Sequence, residues 1–352
     1  MSDNRRQRHH VVPRLHLRGF ADQGGRLVQL DLGTGRRRRV SVSDAAVIKN
    51  FYTVVLPDGT ASDAWERWLS DVENEVAPAL RRAIGMPRFE LTADDRIRLA
   101  RWIGLQYLRG PDNRRQIAEI AALTLRAQVG MGGLAYLRHA MSEGSGREVS
   151  LAEAERVWDD IHSLKGPEVV IDGEEHLQIL AKAYHSVSQM IMNRSWCRVV
   201  YAENPLAASD VPVAIVPGEA YNEGGLQGAM AVAVPLDRRT LLWLERPDWR
   251  GPRADRDRQP RALFADIYNH TAILSAERFL YYHPDDEPVP KDAKIPRPRP
   301  DRVEVVGGLD LANRDRPLAD ALEQIADHCD PAGTSLIANY SWPIPGYQPP
   351  SP

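Results

Sequence analysis

Two glutamates seven residues apart in this 352-residue chain, Glu66 and Glu73, have a type and spacing that suit chemistry. Seven residues advance a helix by about two turns, so both carboxylates share a face roughly 10 Å apart, a separation at which two acids can flank one ligand or one divalent cation. Upstream, Arg8-His9-His10-Val11-Val12-Pro13-Arg14 sets imidazoles and guanidiniums against an apolar scaffold too short for a solvated tail, which makes His10 a candidate metal ligand or general base. Gln106 and Arg109 stand three apart on one helix face just before Gly110-Pro111, where a guanidinium can complement the helix C-terminus or clamp an anion. Ser209-Asp210 lies between apolar flanks, and a buried aspartate there needs a backbone donor, an arginine or a metal. Asn269 falls on an apolar helix face beside Tyr268. Each residue also has a plainer role: a solvated glutamate face, a helix cap, a Ser-Asp turn, a core hydrogen bond.

The elements that must position these groups are readable from periodicity. Arg26–Asp31 and Arg38–Val42 alternate on either side of Gly33-Thr34-Gly35, which predicts a β-hairpin. A helix from Ser62 to about Ile84 carries Glu66 and Glu73, with Pro78 inside it. Thr92 begins the next helix with Asp95 in the capping-box position, and this helix ends before Pro111. Helical pattern resumes over Arg114 to Gln128, loosens at Gly130-Met131-Gly132-Gly133, and returns from the Ser150 cap to about Leu164 and from Glu174 to Asn193. From Trp196 the period shortens into strands near Cys197–Tyr201, Val211–Val216, Ala229–Val234 and Thr240–Leu244, and a long helix is predicted from Arg261 to Tyr282. The fold class is therefore α+β: an N-terminal hairpin, a mainly helical middle, and a later antiparallel sheet with a long C-terminal helix. One domain is expected over 1–285, followed over 286–352 by a proline-rich linker, a short helix and a loose tail.

Composition narrows the class. Hydrophobic residues at 43% and charged residues at 26% describe an ordinary globular chain. No run of roughly 18 uninterrupted apolar residues is present, and the basic N-terminus lacks the apolar core of a secretory signal, so no membrane is expected and the cytoplasm is the expected location. Cys197 and Cys329 are too few and too far apart for a disulfide framework or a zinc site. Residues 1–50 hold eleven Arg and Lys against four Asp, +7, which leaves −10 for the remainder of a chain whose net charge is −3. Such an asymmetry suits an acidic or polyanionic partner near the N-terminus, unless Arg36–Arg39 only decorate an exposed strand.

Taken in order along the chain, these residues resemble a bacterial family of unknown function, DUF 4238. The resemblance rests on His10, Pro13, Leu17 and Phe20, on the acidic helix of Glu66 and Glu73, on Gln106, Arg109 and Pro111, on Trp196 with Ser209-Asp210, and on Asn269. It covers roughly residues 9–283, and Val211-Pro212 departs from the Asn-Pro that follows the Ser-Asp pair in the family. The resemblance implies a shared fold and a shared polar cluster. No activity comes with the family.

If the cluster converges, Glu66, Glu73 and Asp210 are the expected ligands of a divalent cation, Mg or Mn. His10, Arg109, Gln106 and Asn269 are then the expected catalytic groups. That set suits a metal-dependent hydrolase of a phosphate-containing substrate, nucleic acid included. The competing expectation is a non-enzymatic module that docks an acidic partner through the basic hairpin, its charged residues forming a closed network. His9-His10-Val11-Val12-Pro13 also looks like the opening of an HNH nuclease finger, but no histidine occurs between His16 and His139 to complete it. Phosphate-binding loops, dinucleotide fingerprints, serine elbows and Cys-His pairings are missing from the sequence.

Overall fold

The computed structural model describes residues 8–55, 61–62, 64–163, 166–217 and 225–293, and their contacts divide the chain into two units. Where one body over 1–285 was expected, residues 115–171 make a unit of their own. Residues 294–352, with Cys329 and the expected tail, lie outside the described residues.

The first unit, residues 8–114 and 172–293, opens with β1 (Arg8–His10), the single turn α1 (Arg14–Leu17), and the hairpin of β2 (Arg26–Asp31) and β3 (Arg36–Ser41). It continues through β4 (Val47–Lys49), β5 (Val54–Val55), β6 (Ala61–Ser62), α2 (Ala64–Gly85) and α3 (Ala93–Leu108). Next comes α4 (Pro111–Ser145), whose residues from Arg115 onward belong to the second unit, as does α5 (Leu151–His162). The first unit resumes with α6 (Gly173–Met192), β7 (Ser195–Val200), β8 (Ala208–Ser209), β9 (Ala214–Val216), α7 (Gly225–Gly228), β10 (Ala231–Pro235), β11 (Thr240–Glu245), β12 (Arg256–Arg258), α8 (Ala262–Ser275) and β13 (Phe279–Tyr282).

Two larger sheets carry most of the described β part, in orders β12-β7-β11-β10-β9 and β3-β2-β13-β8; β5 pairs with β6, and β1 pairs separately with β4, so that His9 stands opposite Ile48. The five-stranded sheet is antiparallel except for β12 against β7, and β10 is buried along its whole length. In the hairpin Asp31 faces Arg36 and Leu30 faces Arg37. β3 is the sheet edge, and four consecutive arginines there oppose pairing with a further strand. Arg37 does not merely decorate that edge: it donates to Tyr282 Oη at 3.0 Å and to the Pro290 and Lys291 carbonyls at 3.0 and 2.9 Å. Arginine is used the same way deeper in the unit, where Arg198 of β7 donates to the carbonyls of Ala83 and Met86 at the end of α2.

Helix starts follow local chemistry. The side chains of Thr92, Ser150 and Asp172 each accept the backbone N–H three residues on, at 3.1, 3.2 and 2.8 Å. In the second unit Val129 and Leu137 of α4 pack on Trp158 and Ile161 of α5, and Arg126 donates to the carbonyls of Ile161, Ser163 and Gly166. Gly133, at φ 71°, breaks α4 inside the expected glycine stretch. By length and composition alone α4 is apolar enough to cross a membrane, and 22% of its apolar stretch is buried.

One element differs in kind from the sequence reading. The helix predicted to run to Tyr282 stops at Ser275, and Phe279–Tyr282 is strand β13, inserted between β2 and β8. Phe, Leu and two Tyr favour a pleated, buried surface. Asp210 then fixes the break by accepting the N–H groups of Glu277, Arg278 and Phe279 at 2.9, 2.8 and 2.9 Å. Asp210→Ala would leave three donors without an acceptor, and at about 1 kcal/mol or more for each the variant should lose roughly 3 kcal/mol, read as a lower urea midpoint. An unchanged midpoint would show that solvent replaces the carboxylate without loss.

Candidate functional site

The face that Glu66 and Glu73 share on α2 borders a pocket of about 340 Å³. Ser70, one turn from each, lies between them on that wall. The opposite wall carries Arg8, His10 and Arg14, and Tyr52 and Arg109 also line the pocket.

Arg109 organises this space. It follows the last turn of α3, and its side chain is only 2% exposed. One arm of the guanidinium meets Glu73 Oε1 at 2.9 Å, and the other donates to the His10 carbonyl, which ties α2, α3 and β1 together. Tyr52 lies 5.9 Å below it, ring centroid to guanidinium carbon, and donates its hydroxyl to the Arg109 carbonyl at 2.7 Å. Two bonds orient His9: its Nδ1 accepts the Tyr52 N–H at 2.6 Å, so its Nε2–H faces Glu66 Oε1 at 3.3 Å.

His10 is held as a neutral ring. Its Nε2 accepts from Arg14 Nε at 2.9 Å, so Nδ1 carries the proton and donates to the Ala45 carbonyl at 3.2 Å. Burial first, then the Arg14 charge, and less strongly Arg109 and Arg8, bring its pKa from the usual 6.5 down to about 4. At neutral pH the pocket therefore holds a neutral imidazole, two carboxylates and three guanidiniums. Arg8 is partly spent on Asp44 at 2.8 Å. Arg14 is exposed and bonds only His10, so its terminal nitrogens have no partner among the described residues.

The expected three-carboxylate metal site does not assemble. Glu66 and Glu73 share the pocket, but Glu73 is committed to Arg109. Asp210 does not line the pocket and spends both oxygens on main-chain donors; burial raises its pKa from 3.8 to about 7 against the pull of those three bonds. Among the described residues no group of three or more His, Cys, Asp or Glu is placed to hold a metal ion. The donors present do not fit a divalent cation.

Two expected catalytic residues stand apart from the pocket as well. Asn269 accepts from Ala207 N–H at 3.1 Å and donates to the Pro205 and Pro288 carbonyls, both at 3.0 Å, which occupies its amide in a core staple. Gln106, on the face of α3 that it shares with Arg109, is 1% exposed, and neither amide atom has a protein partner. It does not line the pocket. Arg8 and Arg14 belong to the basic stretch that made His10 a candidate, whereas Tyr52 and Ser70 were not expected as lining residues. Ser70, between the glutamates, follows from helical spacing. Tyr52 carries no such signal.

Comparison with curated proteins and with solved structures yields no match to either. A family model described as "Protein of unknown function (DUF4238)" matches residues 8–286, a span that includes every residue of the pocket, and the chain belongs to that family.

Proposed function

We propose that the pocket recognises a small phosphate-bearing molecule. The observation that carries this reading is the convergence of Arg8, Arg14 and Arg109 on one concavity of about 340 Å³, with the Arg14 terminal nitrogens uncommitted. A guanidinium fork is matched to phosphate oxygens, and the volume suits a ligand of roughly mononucleotide size. Arg14 and Arg8 take the anionic group at the mouth. Arg109, held by Glu73 and the His10 carbonyl, keeps the wall in place. No step is routed through a metal, because the carboxylates expected to hold one are engaged elsewhere. The basic edge strand is the weaker candidate for an acidic partner, since Arg37 is spent on internal acceptors and Arg38 bonds Gln29 at 3.4 Å.

Isothermal titration at low salt tests the reading, with inorganic phosphate and with AMP as probes against wild type, Arg14→Ala and Arg8→Ala. Saturable binding that weakens about tenfold in Arg14→Ala, or about 1.4 kcal/mol, is expected. It should also weaken as salt is added. Because Arg14 is exposed, that variant should keep its fold. Neither probe saturating, or both variants binding as wild type does, would overturn the reading.

A further inference from the structure

A second concavity, of about 370 Å³, lies on α2, α3 and α6 of the first unit and shares no residue with the pocket above. On α2, Asp71 and Glu75 are four residues apart and line one wall; on α3, Arg98 and Arg101 are three apart and line another. Opposite charges placed so near normally close into ion pairs, yet here they do not. Arg98 reaches only Asp94 on its own helix, at 3.8 Å, and Arg101, Asp71 and Glu75 have no ion-pair partner among the described residues. Trp68 of α2 and Tyr184 of α6 meet edge to face at 5.4 Å and supply an aromatic wall of the same concavity. Glu75 and Arg101 both act on the Tyr184 hydroxyl, which burial, the largest effect, keeps protonated by pushing its pKa up to about 12.

We propose that this groove binds a zwitterion, namely a free α-amino acid with a large apolar or aromatic side chain. Its carboxylate meets Arg101 and Arg98, its ammonium meets Glu75 and Asp71, and its side chain lies against Trp68 and Tyr184. A ligand carrying only one charge satisfies one wall and leaves the other solvated. The two charges of an amino acid thus account for walls that do not neutralise each other, and the aromatic pair accounts for preference among side chains.

The test is titration of the full chain with L-phenylalanine, N-acetyl-L-phenylalanine, which lacks the ammonium, and L-phenylalaninamide, which lacks the carboxylate. Wild type should bind phenylalanine saturably and each analogue about tenfold more weakly or worse. In Arg101→Ala the gap between phenylalanine and its amide should collapse; in Glu75→Ala the gap between phenylalanine and its N-acetyl form should collapse. Unchanged circular dichroism in both exposed-residue variants shows that any loss is one of recognition. Absence of saturation with phenylalanine, or gaps that survive in both variants, overturns the proposal. Phosphate binding at the first pocket is a separate readout, so either site can fail without the other.

Discussion

Arg109→Met should destabilise the protein by about 3–5 kcal/mol, the largest single-residue effect expected here. Removing one partner of a buried ion pair leaves the other uncompensated, and that loss exceeds what the intact pair contributes. In this protein the abandoned groups are the Glu73 carboxylate and the His10 carbonyl, and the Tyr52 ring loses the cation above it. Arg109→Lys keeps the charge but not the fork, so one of the two acceptors is lost and an intermediate cost follows. The double variant Arg109→Met, Glu73→Met should recover most of the loss, since two apolar side chains replace the pair without stranding a charge. Urea unfolding of the three variants reads these differences directly. A single variant less than about 1 kcal/mol below wild type would show that the pair does not hold β1 against the helices. Because Arg109 also walls the pocket, phosphate binding should fall in Arg109→Met even under conditions where the variant is fully folded.

Acidification supplies the second large effect. His16 donates its Nε2–H to the Pro235 carbonyl at 2.5 Å, and His176 donates its Nε2–H to the Leu108 carbonyl at 3.0 Å while its Nδ1 accepts from Arg114. Burial, reinforced at His176 by Arg114, lowers both rings from 6.5 to about 4, as it does the half-buried His10. A histidine whose pKa is lower in the folded state contributes stability that is whole above about 6.5 and is lost as the pH falls toward 4, because the unfolded chain takes up protons that the folded chain refuses. Asp210 works in the opposite sense. Its folded value of about 7 lies above the ordinary 3.8, so across the same window the folded chain keeps a proton that the unfolded chain has released. With His10 discounted for its exposure, the net uptake on unfolding is between one and two protons. Stability should then fall by about 2 kcal/mol per pH unit at the steepest part of the window. Urea midpoints at about pH 7 and about pH 5 give the sign. Stability that stays level or rises on acidification would sink this account of the buried rings.

Much of the chain was legible one residue at a time. Helix caps at Thr92 and Ser150, the hairpin around Gly35, the break at Gly133 and the end of α3 before Pro111 are local events, decided by side chains within four residues of the backbone they bond or by a backbone preference. Glu66 and Glu73 reached one pocket because a helix face is itself local. Asp210 and Asn269 could not be assigned in this way. Both are buried polar residues, and the sequence states only that such a residue must find partners. For Asp210 the partners lie more than sixty residues away at 277–279, and for Asn269 at 205, 207 and 288. The strand at Phe279–Tyr282 depended on the same long-range event, since aromatic residues after a helix continue it or leave it according to what the next backbone donors meet. The sequence by itself therefore determined the elements and the supply of charged groups. Only the tertiary structure decided which carboxylate met an arginine, which met main-chain N–H groups and which faced a pocket, because the partner that desolvates or neutralises a charge is chosen by packing across the fold.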